Sequence, residues 1–133
     1  HTRFRNVTGV QTCALPISTM GDAEMCGSGA EIGARVHLRF KLEKGGATEW
    51  PWMETHDRWI TTASAPTFED AAEYCTRSMI VLLGKRLGVS PADAFGLMSI
   101  AADLRINQYC KMPKLGTSIR CEFPKLGAGI TRA

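Results

Sequence analysis

The sequence contains no run of about 18 apolar residues, which excludes a transmembrane helix. It contains no Cys-x-x-Cys pair, so a zinc ribbon is unsupported. Internal repeats and low-complexity segments are lacking too: 13 glycines and six prolines in 133 residues are too few for a linker-like chain. One-sided charge is likewise missing. Sixteen Lys and Arg against 13 Asp and Glu give a formal +3, too weak an excess to imply nucleic acid as a partner. With no intact export signal and no membrane segment, a cytoplasmic protein without membrane contact is expected. What remains is the composition of a folded domain, 44% hydrophobic and 22% charged.

The first stretch is foreign to that domain. Val7 to Ile17 reads Val-Thr-Gly-Val-Gln-Thr-Cys-Ala-Leu-Pro-Ile, which is, residue for residue, the translation of a common short-read sequencing adapter. A signal peptide does not fit, because the apolar run is short and Pro16 interrupts it. Residues 1–18 are therefore read as adapter-derived and non-native, and residues 19–133 as the biological part. Without Arg3 and Arg5 the chain is nearly neutral, with 14 basic side chains against 13 acidic ones. Without Cys13 four cysteines remain: Cys26, Cys75, Cys110 and Cys121. An even count also fits disulfides in a secreted protein. Wide spacings and the place of Cys75 on an apolar helical face favour free thiols in a reducing compartment.

Val36, Leu38, Phe40 and Leu42 alternate with Arg35, His37, Arg39 and Lys41, which predicts a strand over Glu31 to Leu42 with one wet face. Trp50-Pro51-Trp52 follows as an edge or loop, since Pro51 cannot donate to a central ladder. A short strand is expected over Arg58 to Thr62. The period then changes. Phe68, Ala71, Ala72, Cys75, Met79, Leu82, Leu83 and Leu87 form one face of a helix with Thr67 as N-cap and Gly88 as stop. Ser90 caps a second helix with Pro91 at its first position and Asp93 at its third, with Phe95, Leu97, Met98 and Ala101 as its apolar face. Alternation returns after Asp103, and a last strand is expected over Ser118 to Phe123. The order predicts an α+β fold, mainly antiparallel sheet with a pair of packed helices.

Three groups of residues have the types that chemistry needs. In Gly21-Asp22-Ala23-Glu24-Met25-Cys26-Gly27, an extended backbone would put Asp22 and Glu24 on one face, roughly 6.5–7 Å apart. Two such carboxylates repel when both are ionised, and persist together where a cation binds them or one holds a proton. Spacing alone favours an acidic turn in solvent. In Thr55-His56-Asp57-Arg58, His56 has the chemistry of a ligand or base and Asp57 that of its orienting partner. Neighbours on a strand face opposite ways, so a direct His56–Asp57 contact is not expected, and a surface histidine is the plainer reading. His37 falls in the polar register and is expected to face solvent. Asp103, ahead of Leu104 and Arg105, either pairs with Arg105 or faces a site. Cys26 has no basic neighbour to lower its pKa and reads as a packed thiol.

Taken in order, these segments resemble the acetamidase/formamidase family. Its pattern is a Gly-Asp-Gly-Glu motif, a β-rich region, a helix pair and an Asp-Leu-Arg-like element. Here stand Gly21-Asp22-Ala23-Glu24, then Thr61-Thr62-Ala63-Ser64-Ala65, then Ser90-Pro91-Ala92-Asp93-Ala94, then Ala101-Ala102-Asp103-Leu104-Arg105-Ile106-Asn107-Gln108. The resemblance runs from Met20 to about Phe123. It implies a metal-dependent hydrolase of small aliphatic amides, longer than this chain and homo-oligomeric, of which residues 19–133 are an incomplete carboxy-terminal fragment. It implies a divalent metal, zinc first and calcium second, that polarises the amide carbonyl and lowers the pKa of a bound water. A carboxylate would take the water's proton and deliver it to ammonia. By the same resemblance Asp22 is a metal ligand, Glu24 a ligand or the general base, and Asp103 a supporting catalytic residue. Two departures stand out. Ala23 replaces the second glycine, and Ile17 and Ser18 occupy the place of a histidine-bearing stretch. The rival expectation is a non-catalytic α+β binding or assembly module, with Trp50, Trp52 and Trp59 as its interface. A fragment should expose sheet edges and self-associate; size-exclusion chromatography checks this, and a clean cooperative monomer would count against truncation.

Overall fold

Alternation sets the sheet, and the change to spacings of three and four sets the helices. The structure, a computed structural model, describes residues 17–19, 30–33, 35, 37, 39, 42, 44, 48–109 and 116–125. In chain order its elements are β1 (Ile17–Thr19), β2 (Ala30–Ile32), β3 (Trp52–Glu54), β4 (Arg58–Ala65), α1 (Phe68–Leu87), α2 (Pro91–Ala101), β5 (Asp103–Gln108) and β6 (Thr117–Pro124). Strands β3, β4, β6 and β5 form one sheet in that spatial order, every pair antiparallel, and β1 and β2 form a separate antiparallel pair. The fold is α+β, with two helices packed on an antiparallel sheet.

Both helices begin and end where local chemistry demands. The Thr67 hydroxyl accepts from the Asp70 backbone N–H at 3.1 Å, and Glu69 and Asp70 complement the positive end of α1. Gly88 ends it in the left-handed region at φ 70°, where an L side chain would be strained. Ser90 accepts from the Asp93 N–H at 3.1 Å, with Pro91 opening α2. The short link between the helices keeps them in contact.

Strands β4 and β6 pair over their whole length, from Arg58 opposite Pro124 to Ala65 opposite Thr117. Directly opposed side chains share a face. Trp59, Thr61, Ala63 and Ala65 therefore join Ile119, Cys121 and Phe123 under α1, where they meet Ala71, Cys75, Met79, Leu82 and Leu83. Ala94 and Met98 of α2 complete the core. Thr61 is the polar member. Its Oγ1 donates to the Cys75 carbonyl at 2.9 Å, and Cys75 Sγ donates to the Thr61 carbonyl at 3.0 Å. This reciprocal pair fixes α1 on β4 and leaves neither buried group unmatched.

Four expectations are corrected. Phe68, expected on the apolar face of α1, is 43% exposed, because the first turn of the helix projects beyond the core formed from Ala71 onward. Strand β4 runs past Thr62 to Ala65, because β6 continues its ladder to Thr117. The buried stripe of α2 is Ala94 and Met98 with Leu97 and Ala101 partly covered, whereas Phe95 is 57% exposed. A position one residue on lies about 100° around the axis, so the same helix cannot bury both 94 and 95 equally. Of the alternating segment from Glu31, the ladder to β1 ends at Ile17 opposite Ile32, and the described residues Gly33, Arg35, His37, Arg39 and Leu42 are not in a strand. Alternation supplies two faces, but a strand also needs a partner. His37 is exposed, as expected. Among the described residues no helix is long and apolar enough to cross a membrane.

Gly116 leads into β6 against the end of β4, and a Cβ there would collide with the Ala65 carbonyl oxygen and carbon. Gly116→Ala should lower the unfolding free energy by about 1–3 kcal/mol. Gly96→Ala, in open space within α2, should raise it by up to about 1 kcal/mol. Denaturant midpoints of the two variants test the pair of opposite signs.

Candidate functional site

The sheet face turned away from the helices carries a charged cluster beside Ile60 and Met53. The register places Glu122 opposite both Ile60 and Asp103, and Arg120 opposite both Thr62 and Arg105. Glu122 Oε1 accepts from Arg120 Nε at 2.6 Å. Its Oε2 lies 3.3 Å from Arg58 Nη1 and 3.6 Å from Arg105 Nε. Arg58 Nη1 also donates to Asp103 Oδ2 at 3.0 Å, and Arg105 Nη2 stands 3.8 Å from the same oxygen. Three guanidinium groups thus enclose two carboxylates. Glu122 is only 7% exposed, because the arginines themselves roof it over. Its burial interrupts the alternation of β6, which otherwise hides Ile119, Cys121 and Phe123.

Asp103 opens β5 in this network. Its expected partner Arg105 is present, but the shorter contact comes from Arg58, 45 residues away, and no local pattern pointed to it. A carboxylate so matched is a structural hydrogen-bond acceptor. It is also unsuited to share a cation with Glu122. Among the described residues no group of three or more His, Cys, Asp or Glu is placed to hold a metal ion. Asp22, Glu24, Cys26 and Cys110 lie outside the described residues.

His56 is at the surface, its side chain 89% exposed, yet its Nδ1 is 3.2 Å from Asp57 Oδ1. This corrects the expectation of no direct contact. His56 and Asp57 sit in the bend between β3 and β4, where strand alternation does not apply. Asp57 is oriented by the Thr55 hydroxyl, which donates to its Oδ1 at 2.8 Å and is the main cause holding its carboxyl below the ordinary range.

A second feature lies on the helix-covered side, between the flank of α1 and β3. It is a cavity of about 540 Å³ walled by Trp50, Trp52, Tyr74, Arg77, Lys85 and Arg86, among others. Trp50 stacks on Tyr74, ring centroids 6.0 Å apart and planes 19° from parallel. The Arg86 guanidinium lies 5.0 Å over the Trp52 ring and donates to Glu54 at 3.1 Å. Lys125, 2.8 Å from Glu54, holds that carboxyl below its ordinary range, with Arg86 assisting. The three tryptophans thus separate: Trp59 belongs to the core, and Trp50 and Trp52 line the cavity. A helical stripe of Tyr74, Arg77, Val81 and Lys85, off the core face, was the available signal for it.

Cys75 and Cys121 are free and buried. Burial pushes the Cys75 thiol up and the Cys121 thiol to about 12. Neither is a nucleophile at neutral pH.

No protein-family model matches the chain. No curated protein matches it. Among solved structures the chain is similar to a crystal structure of an acetamidase from Bacillus halodurans, with TM-score 0.47 and 29% identity, over 56% of this chain. The chain spans 24% of the length of that structure.

Glu122→Gln leaves three clustered guanidiniums with one carboxylate. It should destabilise by about 3 kcal/mol, as expected for breaking a buried ion pair. Asp103→Asn, at a half-exposed site, should cost less than about 1 kcal/mol; equal losses in urea titrations would contradict Glu122 as the hub. The raised thiols add a pH dependence. The folded state keeps its protons while the unfolded thiols ionise near 9, so this stability is present below that pH and lost as pH rises toward about 12. Unfolding midpoints from pH 7 to 11 should fall above about 9, and replacing both cysteines by alanine should flatten the fall.

Proposed function

We propose that the protein to which this chain belongs hydrolyses small aliphatic amides to carboxylate and ammonia, in the manner of the acetamidase/formamidase family. In this proposal residues 1–18 are adapter-derived and residues 19–133 are the carboxy-terminal part of a homo-oligomeric enzyme. One observation supports it above all, the ordered series of segments from Gly21-Asp22-Ala23-Glu24 to Ala101–Gln108. Its later members coincide with junctions of the fold: Thr61–Ala65 is the distal half of β4, Ser90–Ala94 is the capped start of α2, and Ala101–Gln108 crosses from α2 into β5.

Asp22 serves here as a metal ligand. Glu24 is a second ligand or the general base that takes a proton from the attacking water and passes it to the leaving ammonia. Asp103, steadied by Arg58, has the supporting role. The proposed ion, zinc with calcium as the alternative, supplies Lewis-acid polarisation of the carbonyl. The described residues do not fit it, since arginines already engage both Asp103 and Glu122. In the proposal the ion belongs to Asp22 and Glu24, as the resemblance implies, with further ligands from elsewhere in the whole protein. The rival is a non-catalytic binding or assembly module, and the placement of Trp50 and Trp52 at a cavity wall speaks for it.

In the whole protein, Asp22→Ala and Glu24→Ala should each remove bound zinc, measured by elemental analysis, and lower ammonia release from acetamide by about 100-fold or more. The 133-residue chain alone should release none. Metal and activity unchanged in both variants would leave the module standing.

A further inference from the structure

The cavity between α1 and β3 lies on the opposite side of the sheet from Asp103, since Trp52 stands opposite the inward-facing Thr61. At about 540 Å³ it has the size of a small-molecule site, for which about 300–1,000 Å³ is usual. Its walls combine two kinds of chemistry. Trp50, Trp52 and Tyr74 present flat aromatic surface, with Val81 as an apolar rim 56% exposed. Arg77, Lys85 and Arg86 bring three positive charges, against Glu49 as the acid of the lining. Two of the cations are already positioned, Arg77 by Glu73 at 2.5 Å and Arg86 by Glu54 and the Trp52 ring. Lys85 meets no carboxylate among the described residues. The packing of α1 does not require this stripe, because its core face is Ala71, Cys75, Met79, Leu82 and Leu83.

We propose that this cavity binds a small planar organic anion, of which an aromatic carboxylate is the type. The ring would lie along the tryptophan and tyrosine walls, gaining apolar burial and offset stacking. The carboxylate would lie toward Lys85, the lining cation that no carboxylate offsets, since Glu73 and Glu54 offset Arg77 and Arg86. A neutral amide has no use for that cation, so the proposal stands apart from amide hydrolysis at Asp22 and Glu24.

The full 133-residue chain is titrated with benzoate by ligand-observed NMR, beside benzamide, which keeps the ring and lacks the charge, and acetate, which keeps the charge and lacks the ring. Benzoate should bind saturably, about tenfold or more tighter than either control. Lys85→Met should weaken it by about tenfold. Val81→Trp, filling the mouth from an exposed position, should abolish it, both variants keeping the parent circular-dichroism spectrum. Benzamide or acetate binding as tightly as benzoate, a lack of saturable benzoate binding, or unchanged affinity in Val81→Trp would each overturn the proposal.

Discussion

The ladder between β4 and β6 is the constraint on which the remainder depends. It joins strands far apart in the chain, and closing so long a loop is favourable only if burial repays the lost entropy. Burial comes from one face. Ile119, Cys121 and Phe123 meet Met79, Leu83 and Cys75 there, and the Thr61–Cys75 hydrogen bonds lock helix to strand. The rest of the four-stranded sheet and its helices are positioned from this pair: β3 extends it on one edge, β5 on the other, and α2 packs where α1 leaves room.

The same register that makes an apolar face makes a charged one behind it. Glu122 is buried without a helix above it because three arginines converge from three strands. That network holds β5 to the centre of the sheet and sets the position of Asp103. It also separates two chemical regions. The charged face has its carboxylates already matched, while the aromatic cavity across the sheet has Lys85, which meets no carboxylate among the described residues. Buried Cys75 and Cys121 sit between these regions, their thiols kept protonated by the apolar packing around them.

Much of the fold was legible because the deciding interactions are local. Thr67, Gly88, Ser90 and Pro91 act within four residues of themselves, and they bound both helices as their residue types require. The buried face of α1 from Ala71 to Leu83 follows from spacing, whereas Phe68, in its first turn, is exposed. Phe95 was misjudged because hydrophobicity marks what is apolar, while orientation decides what is covered. The contact between His56 and Asp57 was missed because strand geometry was assumed at a bend. The Asp22–Glu24 pair is legible as a motif, and its standing rests on the order of segments around it.

By itself, then, the sequence determined the helix ends, the strands about Arg58–Thr62 and Ser118–Phe123, the edge character of the Trp50-Pro51-Trp52 stretch and the motif series that resembles an amide hydrolase. These depend on neighbours three or four residues away, or on residue type alone. Only the tertiary structure decided that Arg58 meets Asp103, that Glu122 is roofed by guanidinium groups, and that Trp50 and Trp52 face a cavity while Trp59 enters the core. Those outcomes depend on strand register and on the seat of α1 across the sheet, which arise from pairing and packing between segments distant in the chain.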